Sequence, residues 1–464
     1  MTGHLKWQPW RLFIVSPDII AAIATPPGRG GIGVIRISGK NLTKLAEAIL
    51  GKLPKPRYAC LSQFLDIHGQ IIDQGIALYF PAPNSYTGED VLELQGHGGP
   101  AVMNLLLNQC LSAGARLAQP GEFTLRAYLN NKIDLIQAES VADIIEASTS
   151  EAARCAIHSL QGHFSTRIEA LVSLLITLRM LIEAILDFPE DEIDNLQSLQ
   201  IQDRLAHIQT QLEQIFMAAR QGNLLQEGIK IVLVGAPNVG KSSLLNQLAE
   251  DDVAIVTEIP GTTRDTIQRT ITIEGVPIHI IDTAGLRETS DFVEQKGIER
   301  THAAIKNADM VFWLIDGSHD HPDTRDPILN HIPADKPQII LFNKIDLLDE
   351  NPRIEGKEDT IRIYLSAKTG AGIELLRRKI LEIVGWQFNP AGEGVFMARQ
   401  RHLEALTQAR SYLEKAQAFT ENEYQLELLA EELRLSQSAL SSITGQFTAD
   451  DLLGEIFSHF CIGK

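Results

Sequence analysis

Residues 235–243 read "GAPNVGKSS", and the reading of that stretch decides the fold around it. It fits G-x-x-x-x-G-K-[ST] at Gly235, Gly240, Lys241 and Ser242. A β-like run "IKIVLV" (229–234) precedes it and a helix-forming run "KSSLLNQLA" (241–249) follows, the context in which the pattern has a mechanism. Glycines let backbone N–H groups wrap a phosphate chain, the helix N-terminus adds a favourable dipole, and Lys241 supplies charge. The Ser242 hydroxyl suits Mg²⁺. Further short motifs end later β-like runs: "DTAG" (282–285), "NKID" (343–346) and "SAK" (366–368). Asp282 is expected near the Mg²⁺ and Gly285 at the γ-phosphate. Asp346 can accept from the N1–H and 2-amino group that guanine has and adenine lacks, while the Lys344 stem covers the ring and the Ala367 amide reaches O6. The order and placement of these motifs imply a GTP site built from Asn238, Val239, Gly240, Lys241, Ser242 and Ser243, from Asp282, Thr283, Ala284 and Gly285, from Asn343, Lys344 and Asp346, and from Ser366, Ala367 and Lys368.

Between the first helix and the next strand lies "TEIPGTTRD" (257–265), where a nucleotide-sensing loop belongs. Its residues Thr257, Glu258, Ile259, Pro260, Gly261, Thr262 and Thr263 join the candidate site, with Thr263 assigned to Mg²⁺ and the γ-phosphate. Ras-like GTPases carry a water-orienting Gln directly after the DxxG glycine. Here that position is Leu286, which cannot orient water. Hydrolysis is therefore either very slow or completed by groups from elsewhere. Asn238 has two readings: its side-chain oxygen ligates a monovalent cation beside the phosphates, or it hydrogen-bonds within its own loop.

Outward from this centre, strands and helices alternate from Ile229 to Gly385, through "TITIEGVPIHIID", "MVFWLID", "QIILFNK" and "RIYLSA", as in an open, mostly parallel sheet covered by helices. Helix-rich sequence flanks it on both sides: residues 135–225, including "SLLITLRMLIEAILDF", and the runs "RQRHLEALTQARSYLEKAQAF" and "YQLELLAEELRLSQSALSSI" after Gly394. The acidic break "PEDEID" (189–194) reads as a solvated turn. The α/β unit is thus expected as an insertion in one discontinuous helical domain. From Asp18 to Ile133 short β-like runs broken by Gly and Pro, "VIRIS", "GIALYF" and "VLELQ", predict a separate α+β domain. The expected divisions are 1–17 extension, 18–134, 135–225, 226–386 for the GTPase domain, and 387–464.

The chain has 464 residues, enough for several cores, and 44% hydrophobic content to fill them. Its formal net charge of −18, from 41 basic and 59 acidic side chains, repels phosphate backbones, so any RNA contact needs a local basic patch or a basic companion. Four widely spaced cysteines (Cys60, Cys110, Cys155, Cys461) argue against a disulfide framework or zinc site and fit a reducing cytoplasm. No segment reaches the length of a membrane span. The terminal "FCIGK" has a cysteine at the prenylation spacing, but Gly463 and Lys464 suit prenylation poorly. The residues alone leave Cys461 either structural or a thiol delivered to a site.

"GAPNVGKSSLLN", "PGTTRD" and "DTAGLRE", with the flanking helices and "FCIGK", resemble the bacterial and organellar tRNA uridine-modification GTPase family MnmE, also called TrmE. "ATPPGRGGIGVIRISG", "SYTGEDVLELQGHGG" and "GEFTLRAYLNNKIDLIQAE" extend the likeness to the N-terminal part, so that it runs from about Asp18 to Lys464. The resemblance implies a Ras-like P-loop GTPase domain inserted into a discontinuous helical domain, preceded by an α+β tetrahydrofolate-binding and dimerisation domain. It implies potassium-stimulated GTP hydrolysis in a homodimer, with potassium at Asn238, Thr257, Ile259 and Thr262 and magnesium at Ser242 and Thr263. Glu294 matches the acidic residue that helps place the attacking water, compensating for Leu286. The implied partner is the flavoprotein MnmG (GidA), in a heterotetramer or larger complex that modifies carbon 5 of the wobble uridine (position 34) of certain tRNAs, with tRNA held mainly by that partner.

The resemblance also places 5-formyltetrahydrofolate or a related one-carbon folate at Arg36, Glu93, Lys132 and Lys464. A carboxylate such as Glu93 can pair with a pterin's N–H edge and cations suit folate carboxylates, although without the resemblance each reads as a solvated charge. The tail would reach that pocket with Cys461 as nucleophile, a nearby cation favouring its thiolate. "GRGGIG" (28–33) satisfies the dinucleotide pattern GxGxxG but precedes β-like "VIRIS" rather than a helix, so it reads as a glycine-rich strand connection. The alternative function is a regulatory switch GTPase in ribosome assembly or stress response, without one-carbon chemistry. Against it, nothing in the sequence reads as KH, OB or a basic arm.

Overall fold

The structure, a computed structural model, describes residues 18–187, 195–249, 268–282, 304–318, 336–356, 361–387, 394–420, 425–445 and residues 456, 460 and 463. The backbone divides into two compact units. The first holds Met1–Ala142, Ser165–Phe188 and Leu426–Lys464, the second Asp143–Phe164 and Pro189–Gln425.

In the first unit, strands β1 (Ile20–Ile23), β2 (Gly30–Gly39), β3 (Cys60–Leu65), β4 (Ile71–Phe80), β5 (Asp90–Gly98) and β6 (Arg116–Leu117) form a sheet in the order β3-β4-β5-β2-β1-β6. Only β1 and β6 run parallel. Helices α1 (Thr43–Leu50) and α2 (Pro100–Ser112) cover one face, which reads apolar at alternate positions as a half-buried antiparallel sheet should. Ile35, Ile37, Leu92 and Leu94 are fully buried there with Phe64 and Leu106. On the other face α3 (Glu122–Leu129) adds Phe123 to Ile20, Ala22 and Ala118. Burial pushes the Cys110 thiol up to about 12, which makes it an inert core residue. The "GRGGIG" stretch splits: Gly28, with φ 137°, turns the chain, while Gly30 already opens β2 ahead of an irregularity between Gly30 and Gly33.

After α3 the chain forms α4 (Leu135–Glu146) and α5 (Ser150–Leu160), and the longer helices that follow obey one rule. Buried positions of α6 (His163–Asp187) within the first unit are Ile168, Leu171, Leu175, Leu178 and Ile182, alternating steps of three and four. In the second unit α7 (Asn195–Glu227) buries Ile201, Leu205, Ile208, Leu212, Ile215 and Ala219 at the same spacing. That seam packs on α10 (Gln400–Ala418), where Gln209 Nε2 donates to Leu413 O at 3.3 Å and to Gln417 Oε1 at 3.1 Å. Helices on opposite sides of the α/β segment in sequence therefore pack together, and the GTPase domain is an insertion between them. In the first unit α11 (Leu426–Thr444) buries Leu426, Leu429, Leu433, Leu440 and Ile443, and Arg179 Nη1 of α6 donates to Gln437 Oε1 at 2.6 Å.

The inserted sheet runs β12 (Arg353–Glu355), β13 (Ile361–Tyr364), β11 (Gln338–Asn343), β10 (Met310–Asp316), β7 (Ile229–Val234), β9 (Val276–Asp282), β8 (Gln268–Ile273). All neighbours are parallel except the two edge pairs. Central β7 has Ile231 and Leu233 in one core and Val232 and Val234 in the other, so its apolar run is continuous. Phe312 on β10 is 1% exposed, and truncation to Ala would cost about 3–5 kcal/mol. Helix α8 (Lys241–Ala249) follows β7, and α9 (Ile373–Val384) follows β13. Parallel direction puts the C-terminal ends of β7, β9, β10, β11 and β13 on one edge, where ligands of such sheets bind. No described helix is long and apolar enough to cross a membrane.

Candidate functional site

Four of those strand ends carry described site residues. After β7, Leu244, Leu245 and Leu248 anchor α8 in the core and fix the direction of its N-terminus. The preceding loop turns through Asn238, with φ 63°, and Gly240, with φ 101°. A Cβ at Gly240 would collide with Asn343 Nδ2, and one at Gly235 would lie 2.6 Å from Leu314 O, so both glycines are required by close approach. Lys241 is buried, and its Nζ donates to Gly235 O at 2.7 Å and Ala236 O at 2.9 Å, inside the curve of the loop. Ser242 and Ser243 are exposed on the first turn of α8. A loop of N–H groups, a helix N-terminus and a curled lysine fit a polyphosphate.

Asn343 ties three motifs together. It is 2% exposed; its Nδ2 donates to Val239 O at 2.7 Å, and its Oδ1 accepts from Ala367 N at 2.8 Å. One side chain thus joins the phosphate loop, the end of β11 and the turn after β13. It also holds the Ala367 amide, the group expected at guanine O6, at the same sheet edge. Asp346 Oδ1 accepts from Ser366 Oγ at 2.6 Å, which fixes the carboxylate that would read the base edge. Lys368 follows in the same turn. Lys344, in a left-handed conformation with φ 70°, donates from Nζ to Asp316 Oδ2 at 2.6 Å. Burial pushes the Asp316 carboxyl up, but hydrogen bonds from Lys344 and Ser318 outweigh it and hold it at about 2. Asp316 has no motif around it, and its pairing lies 28 residues away in sequence.

Asp282 closes β9 opposite Leu233, which puts its backbone at the same edge. The side chain of Asp282 lies outside the described residues, as do Thr257, Glu258, Ile259, Pro260, Gly261, Thr262, Thr263, Thr283, Ala284, Gly285, Leu286, Glu294, Cys461, Lys464 and the 189–194 break. Among the described residues no cluster of three or more His, Cys, Asp or Glu could hold a metal. The exposed Ser242 and Asn238 have the right oxygen chemistry for magnesium and potassium respectively.

A second constellation lies on the sheet of the first unit. Arg36 and Glu93 are cross-strand partners on β2 and β5, with Arg36 Nε donating to Glu93 Oε1 at 3.0 Å. The guanidinium lies 5.4 Å from the Tyr86 ring and 5.9 Å from the Phe123 ring. Aromatic faces beside a half-buried ion pair suit a planar heterocycle with a polar edge. Tyr86 and Phe123 were not singled out in the sequence; only the fold brings them to Arg36. Lys132 is exposed and donates to Pro83 O at 3.0 Å. Gly463, with φ 102°, packs so closely on Ile23 that a Cβ would strike Ile23 O. Ile23 pairs with Ile35, one residue from Arg36, so Gly463 lies against the strand that neighbours the one carrying Arg36.

The sequence profile of the MnmE helical domain matches residues 135–461, and that of the GTP-binding protein TrmE N-terminus matches residues 19–132. A protein of Nitrosomonas europaea described as tRNA modification GTPase MnmE is 65% identical over 97% of this chain and 100% of its own length. Relatives with the same description are 66% identical in Nitrosomonas eutropha, over 96% of this chain and 99% of theirs, and 62% identical in Nitrosospira multiformis, over the same shares.

Proposed function

The chain belongs to the MnmE family of tRNA modification GTPases, and from that membership we propose that it hydrolyses GTP, stimulated by potassium, to drive modification of carbon 5 of the wobble uridine in certain tRNAs. The observation that carries the GTP reading is the convergence of the phosphate loop, Asn343, Asp346 and the Ser366–Lys368 turn on one sheet edge, braced by a single buried asparagine.

Lys241 and the loop N–H groups stabilise charge on the phosphates, and Asp346 selects guanine. Leu286 leaves the water-orienting position without a polar group. Glu294 is the residue we assign to orienting that water indirectly. Magnesium held by Ser242 and Thr263, and potassium held by Asn238, Thr257, Ile259 and Thr262, would supply positive charge beside the phosphates where other GTPases use an arginine.

The finer reading adds a tetrahydrofolate one-carbon donor on the first unit, with Glu93 and Arg36 at its polar edges, Lys132 and Lys464 as contacts for its carboxylates, and Cys461 as nucleophile. Packing of Gly463 against Ile23 supports delivery of the tail to that sheet. A flavoprotein of the MnmG type and a second copy of this chain complete the assembly; a companion of basic surface would offset the net charge of −18 towards tRNA. Titrating 5-formyltetrahydrofolate into the full chain tests this. Saturable binding, weakened at least tenfold by Glu93→Gln, is expected. Absence of saturable binding would favour a switch GTPase without one-carbon chemistry.

A further inference from the structure

The nucleotide site contains an acidic residue that no motif includes. Asp316 ends β10, next to β11, whose last residue Asn343 pairs with it in register. Its Oδ1 accepts from Ser318 N at 3.0 Å and Ser318 Oγ at 2.6 Å, a turn in which the side chain bonds to the residue two positions on. That local bond fixes the plane of the carboxylate and presents Oδ2 to Lys344 Nζ at 2.6 Å. The strand ends are also joined by Gly317 N donating to Asn343 O at 2.8 Å. Lys344 leaves β11 in a left-handed conformation, and its chain stretches back across to β10. Its side chain keeps 32% exposure and that of Asp316 20%, so the pair lies at the surface of the edge.

We propose that Asp316 is a positioning residue for the nucleotide base: held by Ser318, it clamps the Lys344 ammonium so that the lysine stem forms a fixed platform for the purine ring. This deepens the reading of 343–346 as the base site and rests on it. A free lysine side chain in water samples many rotamers, and ordering one on binding costs on the order of 0.5–1.5 kcal/mol, which converts to a two- to twelvefold loss of affinity. The clamp removes that cost before the nucleotide arrives. Because a platform touches the ring face, its loss weakens every purine nucleotide alike; a reader of the base edge, such as Asp346, discriminates between them.

The test compares GDP and IDP binding, with GTP and ITP turnover, in the full chain carrying Asp316→Asn. Asparagine keeps the acceptor for Ser318 but sets an N–H₂ donor against the lysine. The expected result is faster GDP release and a three- to tenfold higher Kd, by equal factors for guanine and hypoxanthine nucleotides. The change falls on KM rather than on kcat. Lys344→Met supplies the second arm: adding Asp316→Asn to it should weaken binding no further, since the two act as one unit. Wild-type affinity in Asp316→Asn, loss confined to guanine, or full additivity in the double variant would each overturn the proposal. Asp346→Asn separates this from the underlying reading: if that change leaves guanine preference over xanthine intact, the base site itself is misassigned.

Discussion

Replacing Asn343 with alanine should loosen the nucleotide edge of the sheet even with no nucleotide present. The side chain is 2% exposed and satisfies two backbone groups, the carbonyl of Val239 at 2.7 Å and the amide of Ala367 at 2.8 Å. Alanine provides partners for neither. A buried polar group left without its bond costs about 1–3 kcal/mol, so the pair predicts a loss of about 2–6 kcal/mol. Asn343→Asp retains the acceptor for Ala367 and forfeits only the donor to Val239, while setting a carboxylate against a carbonyl; it should still fall in the same range. Trp313 on β10, paired in register with Ile340 of β11, offers a fluorescent probe within the same sheet. Urea unfolding followed by tryptophan emission should show the midpoint lowered with little change of slope. A stability change below about 1 kcal/mol for Asn343→Ala would refute the reasoning, because it would mean that water or relaxation satisfies both groups at no cost.

Two further outcomes follow from the packing. Gly240→Ala puts a Cβ into Asn343 Nδ2 at a left-handed backbone position, so nucleotide affinity should fall by at least a hundredfold, read by fluorescent GDP titration; a loss under tenfold would count against the tight approach of loop and strand. In the first unit, Asp18 and Glu122 lie beside Arg116 and Arg126. Burial raises both carboxyls, but hydrogen bonds and charge from the arginines outweigh it and leave them lowered. A carboxylate depressed in the folded state contributes stability that is complete above its unfolded value, about 4, and is lost as pH falls through the folded one. The stability gap between the wild type and Arg116→Met should therefore be widest above about pH 5 and shrink below about pH 4. A gap independent of pH would show that Arg116 acts through packing alone.

The parallel sheet was legible because strands buried on both faces leave continuous apolar runs: "IKIVLV", "MVFWLID" and "QIILFN" each became the strand expected. Edge elements carry no such signal. β12 is three residues with a charged residue at either end, and β6 is two residues pinned only by pairing with β1. The site divides in the same way. Phosphate-loop chemistry is local in sequence and was readable there, whereas Arg36–Glu93 and Asp316–Lys344 join residues 57 and 28 positions apart and exist only once strands pair. The bond from Ala367 to Asn343 likewise exists only once β11 and β13 pair.

The most direct measurement is GTP turnover by the full chain in potassium and in sodium chloride at matched ionic strength, across a range of protein concentrations. The account predicts specific activity that rises with protein concentration in potassium, stays low in sodium, and loses the difference between salts in Asn238→Ala. Turnover per chain that is equal in both salts and independent of concentration would contradict it.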